Sequence, residues 1–187
     1  VSDSELMYGK LQAEGYFTLD TPHGADVVLI NTCAIRENAE QRVIGRLGEL
    51  RRDLKPGAIL GVTGCMAQRL GPALLAQVPR VDLVAGPDAY RNLPDLIRQA
   101  LGGGRVLDTE FRSWEHYEDV PQVREPGPVA FVTVQRGCDY KCTFCIVPYT
   151  RGPERSRSLG EVVREVTDLA AAGVSEVTLL GQTVNSY

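Results

Sequence analysis

Between residues 27 and 101, short apolar and largely β-branched runs alternate with stretches whose apolar residues recur at helical spacing. That alternation restricts the chain to a parallel sheet covered by helices. Val27-Val28-Leu29-Ile30 reads as a strand buried on both faces, the setting in which a strand is continuously apolar. Val43, Leu47, Leu50 and Leu54 then mark a helix that Pro56-Gly57 stops. Residues 58–63 read as a second strand, 72–78 as a short helix and 81–85 as a third strand. Residues 88–101 supply another helix, with Leu93, Leu96, Ile97 and Leu101 on one face. Ahead of the first strand, Ser2-Asp3-Ser4-Glu5 is a capping-box pattern opening a helix that runs toward Gly15.

Gly102-Gly103-Gly104 closes this first unit, residues 1–101, as a helix C-cap rather than a phosphate loop, since no Lys-Ser/Thr pair follows. Residues 102–128 are rich in proline and acidic side chains and lack a period, so they read as a linker. Trp114, His116 and Tyr117 in it are packing or surface residues, and neither His116 nor His23 has a neighbour that would make it a ligand. A second βα pattern occupies 129–187. A strand covers 129–135, a helix follows with Leu159, Val162, Val163, Val166 and Leu169 on one face, Gly173 caps it, and a new strand begins at Val177. Two strands and one helix cannot bury a sheet on both faces, so further βα units are expected to follow.

The 187 residues carry a net charge of −4 and contain no apolar run long enough to cross a bilayer. No basic-then-apolar leader stands at the start, so a soluble, cytoplasmic protein without a membrane partner is expected. Net acidity argues against a general nucleic-acid coat, although a local basic patch would still bind RNA. The five cysteines, at 33, 65, 138, 142 and 145, cannot all pair within the chain, and a reducing compartment makes them metal ligands or reactive thiols.

Their placement narrows the choice. Cys33 lies just past the first strand, Cys65 just past the second, and Cys138 just past the strand ending near Gln135. Ligands of open α/β sheets and βα barrels gather at such carboxyl ends. Gly64 and Gly137, each directly before a cysteine, would let the backbone approach an inorganic cluster. Cys33 and Cys65 can equally be small buried side chains. Cys138, Cys142 and Cys145 form C-x3-C-x2-C within one loop, which core packing does not explain. Three thiolates on an iron–sulfur cube leave one iron open for chemistry. Structural zinc is the competing reading, but it closes with a second ligand pair that is not beside this loop.

C-x3-C-x2-C with Phe144 before the last cysteine, on the loop after a first barrel strand, resembles radical S-adenosylmethionine enzymes. The surrounding residues 134–157 look like those of the methylthiotransferases. So do Asp3-Ser4-Glu5, Asn31-Thr32-Cys33-Ala34-Ile35-Arg36, Gly64-Cys65-Met66-Ala67-Gln68-Arg69 and Leu180-Gly181-Gln182-Thr183-Val184-Asn185-Ser186-Tyr187. The resemblance implies a parallel-sheet N-terminal domain with flanking helices, followed by the start of a radical SAM βα barrel of partial TIM type. It implies that Cys138, Cys142 and Cys145 hold a 4Fe–4S cluster whose fourth iron chelates S-adenosylmethionine, the source of a 5′-deoxyadenosyl radical after one-electron reduction. Cys33 and Cys65 match two of three ligands of an auxiliary 4Fe–4S cluster carrying the sulfur to be transferred. The third ligand would precede Asp3-Ser4-Glu5, and the rest of the barrel and a small OB-like RNA-binding domain would follow Tyr187. A chain lacking them is not expected to be active by itself.

Within the family, the Asn31-Thr32-Cys33 and Val147-Pro148-Tyr149-Thr150-Arg151-Gly152 segments resemble the branch that places a methylthio group on isopentenyl-modified adenosine beside the tRNA anticodon. Sister branches modify a ribosomal-protein aspartate or threonylcarbamoyl-adenosine. The partners implied are a tRNA anticodon stem-loop and an electron donor such as flavodoxin or ferredoxin. Phe144, Gln182 and Asn185 are expected at the cofactor. Arg151, Arg155 and Arg157 are read either as contacts to RNA phosphate or cofactor carboxylate, or as surface ion pairs with Glu154 and Glu161.

Overall fold

The computed structural model describes residues 2–34, 37–120, 122–124 and 126–187, so Ile35-Arg36 of the first cysteine motif lie outside the described residues. Helix α1 spans Ser2–Ala13, strand β1 Val27–Thr32, α2 Glu37–Asp53, β2 Ile59–Gly64, α3 Cys65–Leu70, α4 Pro72–Gln77, β3 Leu83–Ala85, α5 Leu93–Leu101 and β4 Val106–Asp108. Strands β1 to β4 lie side by side in that order and all run parallel. Alternate residues of these strands serve opposite faces. Leu29, Ile59, Leu83 and Ala85 pack with Leu6 and Met7 of α1 and Leu93 and Ile97 of α5. Ile30, Leu60, Val62 and Val84 pack with Leu47 and Leu50 of α2, Met66 of α3 and Leu74 of α4. Burial on both faces is why these strands read as unbroken apolar runs.

Three local expectations change. The helix placed over 88–101 begins only at Leu93, after a 3-10 turn at Tyr90–Asn92, with Pro94 in its first turn. A helix not foreseen, α3, starts at Cys65 itself. The segment read as a linker supplies β4, which pairs with β3, and it buries Glu115, Tyr117 and Val120 against the first unit. Tyr117 takes φ +59, a left-handed conformation unusual for a side chain of this size. It is over-determined there: Glu115 accepts its N–H at 2.8 Å, and its hydroxyl donates to the Pro87 carbonyl at 2.9 Å.

The second unit comprises β5 Val129–Thr133, β6 Gln135–Arg136, α6 Val147–Arg151, β7 Arg155–Ser156, α7 Leu159–Ala171 and β8 Glu176–Leu180. β5 and β8 pair in parallel across α7, the βαβ arrangement that the periodicity predicts. Val132, Val134 and Val162 form its small core, while Leu159, Val163 and Leu179 stay exposed. β6 and β7 pair antiparallel, Gln135 opposite Ser156 and Arg136 opposite Arg155, and so clamp the stem of the loop that carries three cysteines.

Charged side chains join the two units. Arg155 of β7 is buried and donates from Nη1 and Nη2 to both oxygens of Asp88, at 3.1 and 3.0 Å. It also reaches the carbonyls of Arg112 at 2.6 Å, Glu115 at 3.2 Å and Arg151 at 3.0 Å. Arg157 donates to Glu165 at 2.6 Å. Neither expected role of these arginines holds: their partners are Asp88 and Glu165, not Glu154 or Glu161, and their guanidiniums are consumed inside the protein. Asp88→Ala strands a buried guanidinium, and urea denaturation of the purified chain should show a loss of about 3–5 kcal/mol. A loss below ~1 kcal/mol would mean that the pair is effectively solvated.

Candidate functional site

The carboxyl ends of the two parallel sheets face one another across a cavity of about 360 Å³. The end of β1 contributes Asn31, Thr32 and Cys33. The ends of β5 and β8 contribute Thr133, Leu180, Gly181 and Gln182, and Asp3, Arg136 and Arg151 close the walls. In the sheet register Thr32 lies opposite Gly64, so Cys33 and Cys65 follow paired positions of neighbouring strands. The strands that precede these two cysteines are therefore neighbours, and Cys33, though not Cys65, lines the cavity. Cys33 is exposed and Cys65 half-buried, which sets aside their reading as fully buried packing residues.

The glycines before the cysteines serve the protein first. A Cβ on Gly64, at φ +91, would lie 2.4 Å from the Thr32 carbonyl oxygen. A Cβ on Gly137, at φ +75, would lie 1.9 Å from that of Pro153. Both positions demand glycine for conformation and for space. At the loop stem, the Cys138 N–H donates to the Gly152 carbonyl at 3.1 Å. The Gly137 N–H donates to Gln182 Oε1 at 2.7 Å. Gln182, expected at the cofactor, is thus committed through its carboxamide oxygen to the cysteine loop. Cys138 is buried, with Thr183 Oγ1 3.0 Å from its sulfur. The Cys145 N–H closes a turn onto the Cys142 carbonyl at 3.0 Å, which keeps that C-x2-C pair on one bend. Phe144, 92% exposed beside them, and Asn185, exposed in the turn Val184–Ser186 after β8, make no part of the cavity wall.

Donor chemistry decides what these thiols fit. A structural zinc site closes with a second pair of Cys or His ligands. In a cube each thiolate takes a different iron, so three cysteines spaced along one bend, with no further Cys or His in residues 129–187, match a cluster with one open vertex.

Sequence reasoning missed the charged wall. Asp3, read there as part of a capping box, points across the seam: Arg151 Nη2 donates to it at 2.6 Å, and Arg136 lies 3.4 Å away. Ser2 of the same pattern meets Thr133 Oγ1 at 2.8 Å, and Glu5 lies 3.5 Å from Arg124. Burial alone would raise the Asp3 pKa, but the Arg151 and Arg136 charges and the hydrogen bonds from Arg151 and Tyr90 hold it well below the ordinary carboxylate range. Burial pushes the Arg151 pKa down, and Asp3 more than reverses this, so the guanidinium stays charged. Burial raises the Tyr90 hydroxyl pKa, and Asp3 raises it further, which keeps it a neutral donor to Asp3. Arg136 rests on the Tyr117 ring at 4.8 Å from its centroid. The one sequence signal for this wall was two polar residues, Gln135 and Arg136, at the end of an apolar strand.

Two family models match the chain: an uncharacterized protein family, UPF0004, over residues 1–86, and the Radical SAM superfamily over residues 132–187. A protein of Jannaschia sp. (strain CCS1) is 47% identical over the whole of this chain, and one of Cereibacter sphaeroides is 46% identical. One from Chloroherpeton thalassium is 47% identical, and all three carry the name tRNA-2-methylthio-N(6)-dimethylallyladenosine synthase. The chain thus carries a UPF0004 match followed by a Radical SAM match, and along its whole length it is similar to these synthases. It spans 41% to 44% of the length of these curated relatives. In fold, the chain is similar to the radical S-adenosylmethionine methyltransferase TsrM of Kitasatospora setae, with a TM-score of 0.67 and 17% identity. That match covers 98% of this chain and 45% of TsrM.

Two outcomes test this geometry. Gly137→Ala should retain much less iron than the wild type after anaerobic reconstitution, read by metal analysis, because the strained φ and the clash with Pro153 displace Cys138. Asp3→Asn should lower stability at pH 7. A depressed carboxyl pKa stabilises above the unfolded value of about 3.9 and loses that contribution below it. The gap between wild type and Asp3→Asn in denaturation midpoints should therefore hold from pH 7 to about pH 4 and shrink below.

Proposed function

We propose that the protein, at the full length of its relatives, is a tRNA methylthiotransferase. It adds a methylthio group to the C-2 carbon of isopentenyl-modified adenosine next to the anticodon. The observation that carries this reading is that both parallel sheets turn their carboxyl ends to one cavity, with Cys33 in its wall and Arg151, from the helix after the cysteine loop, donating to Cys65. The name borne by relatives 46% to 47% identical over the whole chain supports the choice of substrate.

Cys138, Cys142 and Cys145 would hold the S-adenosylmethionine-binding 4Fe–4S cluster, and Cys33 and Cys65 would be two ligands of an auxiliary one. When bound, these groups supply one-electron chemistry and transferable sulfur, which side-chain acids and bases cannot provide at an unactivated aromatic carbon. The chain's own part is positional. Gln182 and the β6–β7 clamp fix the loop stem, Arg155 ties that clamp to Asp88, and the cavity offers room for a base turned out of an anticodon loop. Phe144, Asn185 and Tyr149 are exposed around the cysteine loop and can meet cofactor or RNA. The length by which the relatives exceed this chain would hold the remaining βα units against exposed Leu159, Val163 and Leu179. A flavodoxin or ferredoxin would deliver the electron. No helix among the described residues is long and apolar enough to cross a membrane.

The test is to express the full-length protein in a strain lacking its gene and to assay digested tRNA by mass spectrometry. The methylthio-isopentenyl nucleoside should appear with the wild type and be absent with Cys138→Ala or Cys65→Ala. An unmodified tRNA pool beside a methylthiolated ribosomal protein would reassign the substrate.

A further inference from the structure

Arg151 occupies the seam in a way that neither the fold nor the first cysteine set requires. It ends α6, the helix that follows Cys145, and α6 packs on α3, the helix that Cys65 begins. Its guanidinium has two working edges. Nη1 and Nη2 reach the Asp3 carboxylate at 3.3 and 2.6 Å. The remaining Nε–H points to the sulfur of Cys65 at 3.1 Å. Asp3 thus uses the terminal nitrogens and fixes the plane of the guanidinium, and that plane delivers the third donor to the cysteine.

The cavity beside this contact is rich in positive charge: two guanidiniums, Arg136 and Arg151, line it, and among its described lining residues Asp3 is the only carboxylate.

We propose that Arg151 is a positioning residue for the auxiliary cluster: held by Asp3, it donates to the Cys65 thiolate and thereby ties that cluster to the loop bearing Cys138, Cys142 and Cys145. This rests on the reading of Cys33 and Cys65 as cluster ligands. Hydrogen bonds to ligating sulfurs and nearby positive charge stabilise the reduced, more negative cluster and raise its reduction potential. Arg151 therefore sets the potential of one cluster from the loop that holds the other.

The experiment uses the full-length protein with Cys138, Cys142 and Cys145 replaced by Ala, so that only the auxiliary cluster remains, and measures its midpoint potential by redox titration monitored by EPR. Arg151→Gln should shift the potential to more negative values and alter the EPR signal. Arg151→Lys, which keeps the charge but not the fork, should fall between Arg151→Gln and the parent, and it carries the test should Arg151→Gln fail to fold. Asp3→Asn, whose amide oxygen still accepts from Nη2 and so keeps the guanidinium plane while removing a negative charge, should not lower the potential as Arg151→Gln does. If all three variants leave the potential unchanged, or if Asp3→Asn lowers it equally, Arg151 is only a link between the two units and the inference is overturned. If the parent binds no iron at all, the proposed function fails and takes this inference with it, an outcome distinct from an iron-loaded protein indifferent to Arg151.

Discussion

A carboxylate buried between two guanidiniums holds this structure to its purpose. Asp3 stands at the start of the chain, and Arg136 and Arg151 stand on either side of the cysteine loop. Each sheet has an apolar core of its own that this contact does not join. What the contact adds is orientation: the carboxyl ends of both sheets are turned toward one cavity. The Asp88–Arg155 pair repeats the device further along the seam, with a bidentate bond and three carbonyls occupying both terminal nitrogens of one guanidinium. Planar, bidentate arginine contacts hold an angle as well as a distance, which lysine or an apolar patch would not.

Strands and helices were legible in the sequence wherever burial imposes a period. β1 and β2, buried on both faces, show up as apolar runs, and α7 shows one apolar face because only one face packs. β4, β6 and β7 were not legible, because three or two residues cannot display a period and their pairing partners lie elsewhere in the chain. The 3-10 turn before α5 was hidden for a related reason: Asp88 is an acceptable helix-starting residue, but it is engaged by Arg155 from the second unit.

The site divides in the same way. Cys33, Cys65 and Cys138 could be placed just past strand ends, and Cys142 and Cys145 on the loop that follows, because strand ends and cysteines are both local features. The wall around them could not, because each of its bonds joins residues far apart in sequence. Arg151 reaches Asp3 across 148 positions and Cys65 across 86. The Ser2-Asp3-Ser4-Glu5 run shows how a correct local pattern misleads: its residues satisfy the capping rule, yet Asp3 forms stronger, charge-assisted bonds across the seam. Gln182 shows the converse. Its position at the carboxyl end of a strand was informative, but its partner is the loop backbone at Gly137.

Placing the clamp on charged pairs carries a physical consequence for a site built from two halves. Chemistry that passes a group between two centres tolerates misplacement of only about 0.5 Å, and loops alone do not supply that precision. Here the cysteine loop is not left to itself. A two-residue antiparallel ladder closes its stem, Gln182 anchors it to the neighbouring strand, and Arg151 and Arg155 fasten it to the first sheet. Each fastening alone costs desolvation and earns little net stability. Their shared return is geometric, because moving the loop by the width of one atom would break the Arg151–Asp3, Arg155–Asp88 and Gln182–Gly137 bonds together. The cavity between the sheets is thus held open by the same bonds that fix its walls.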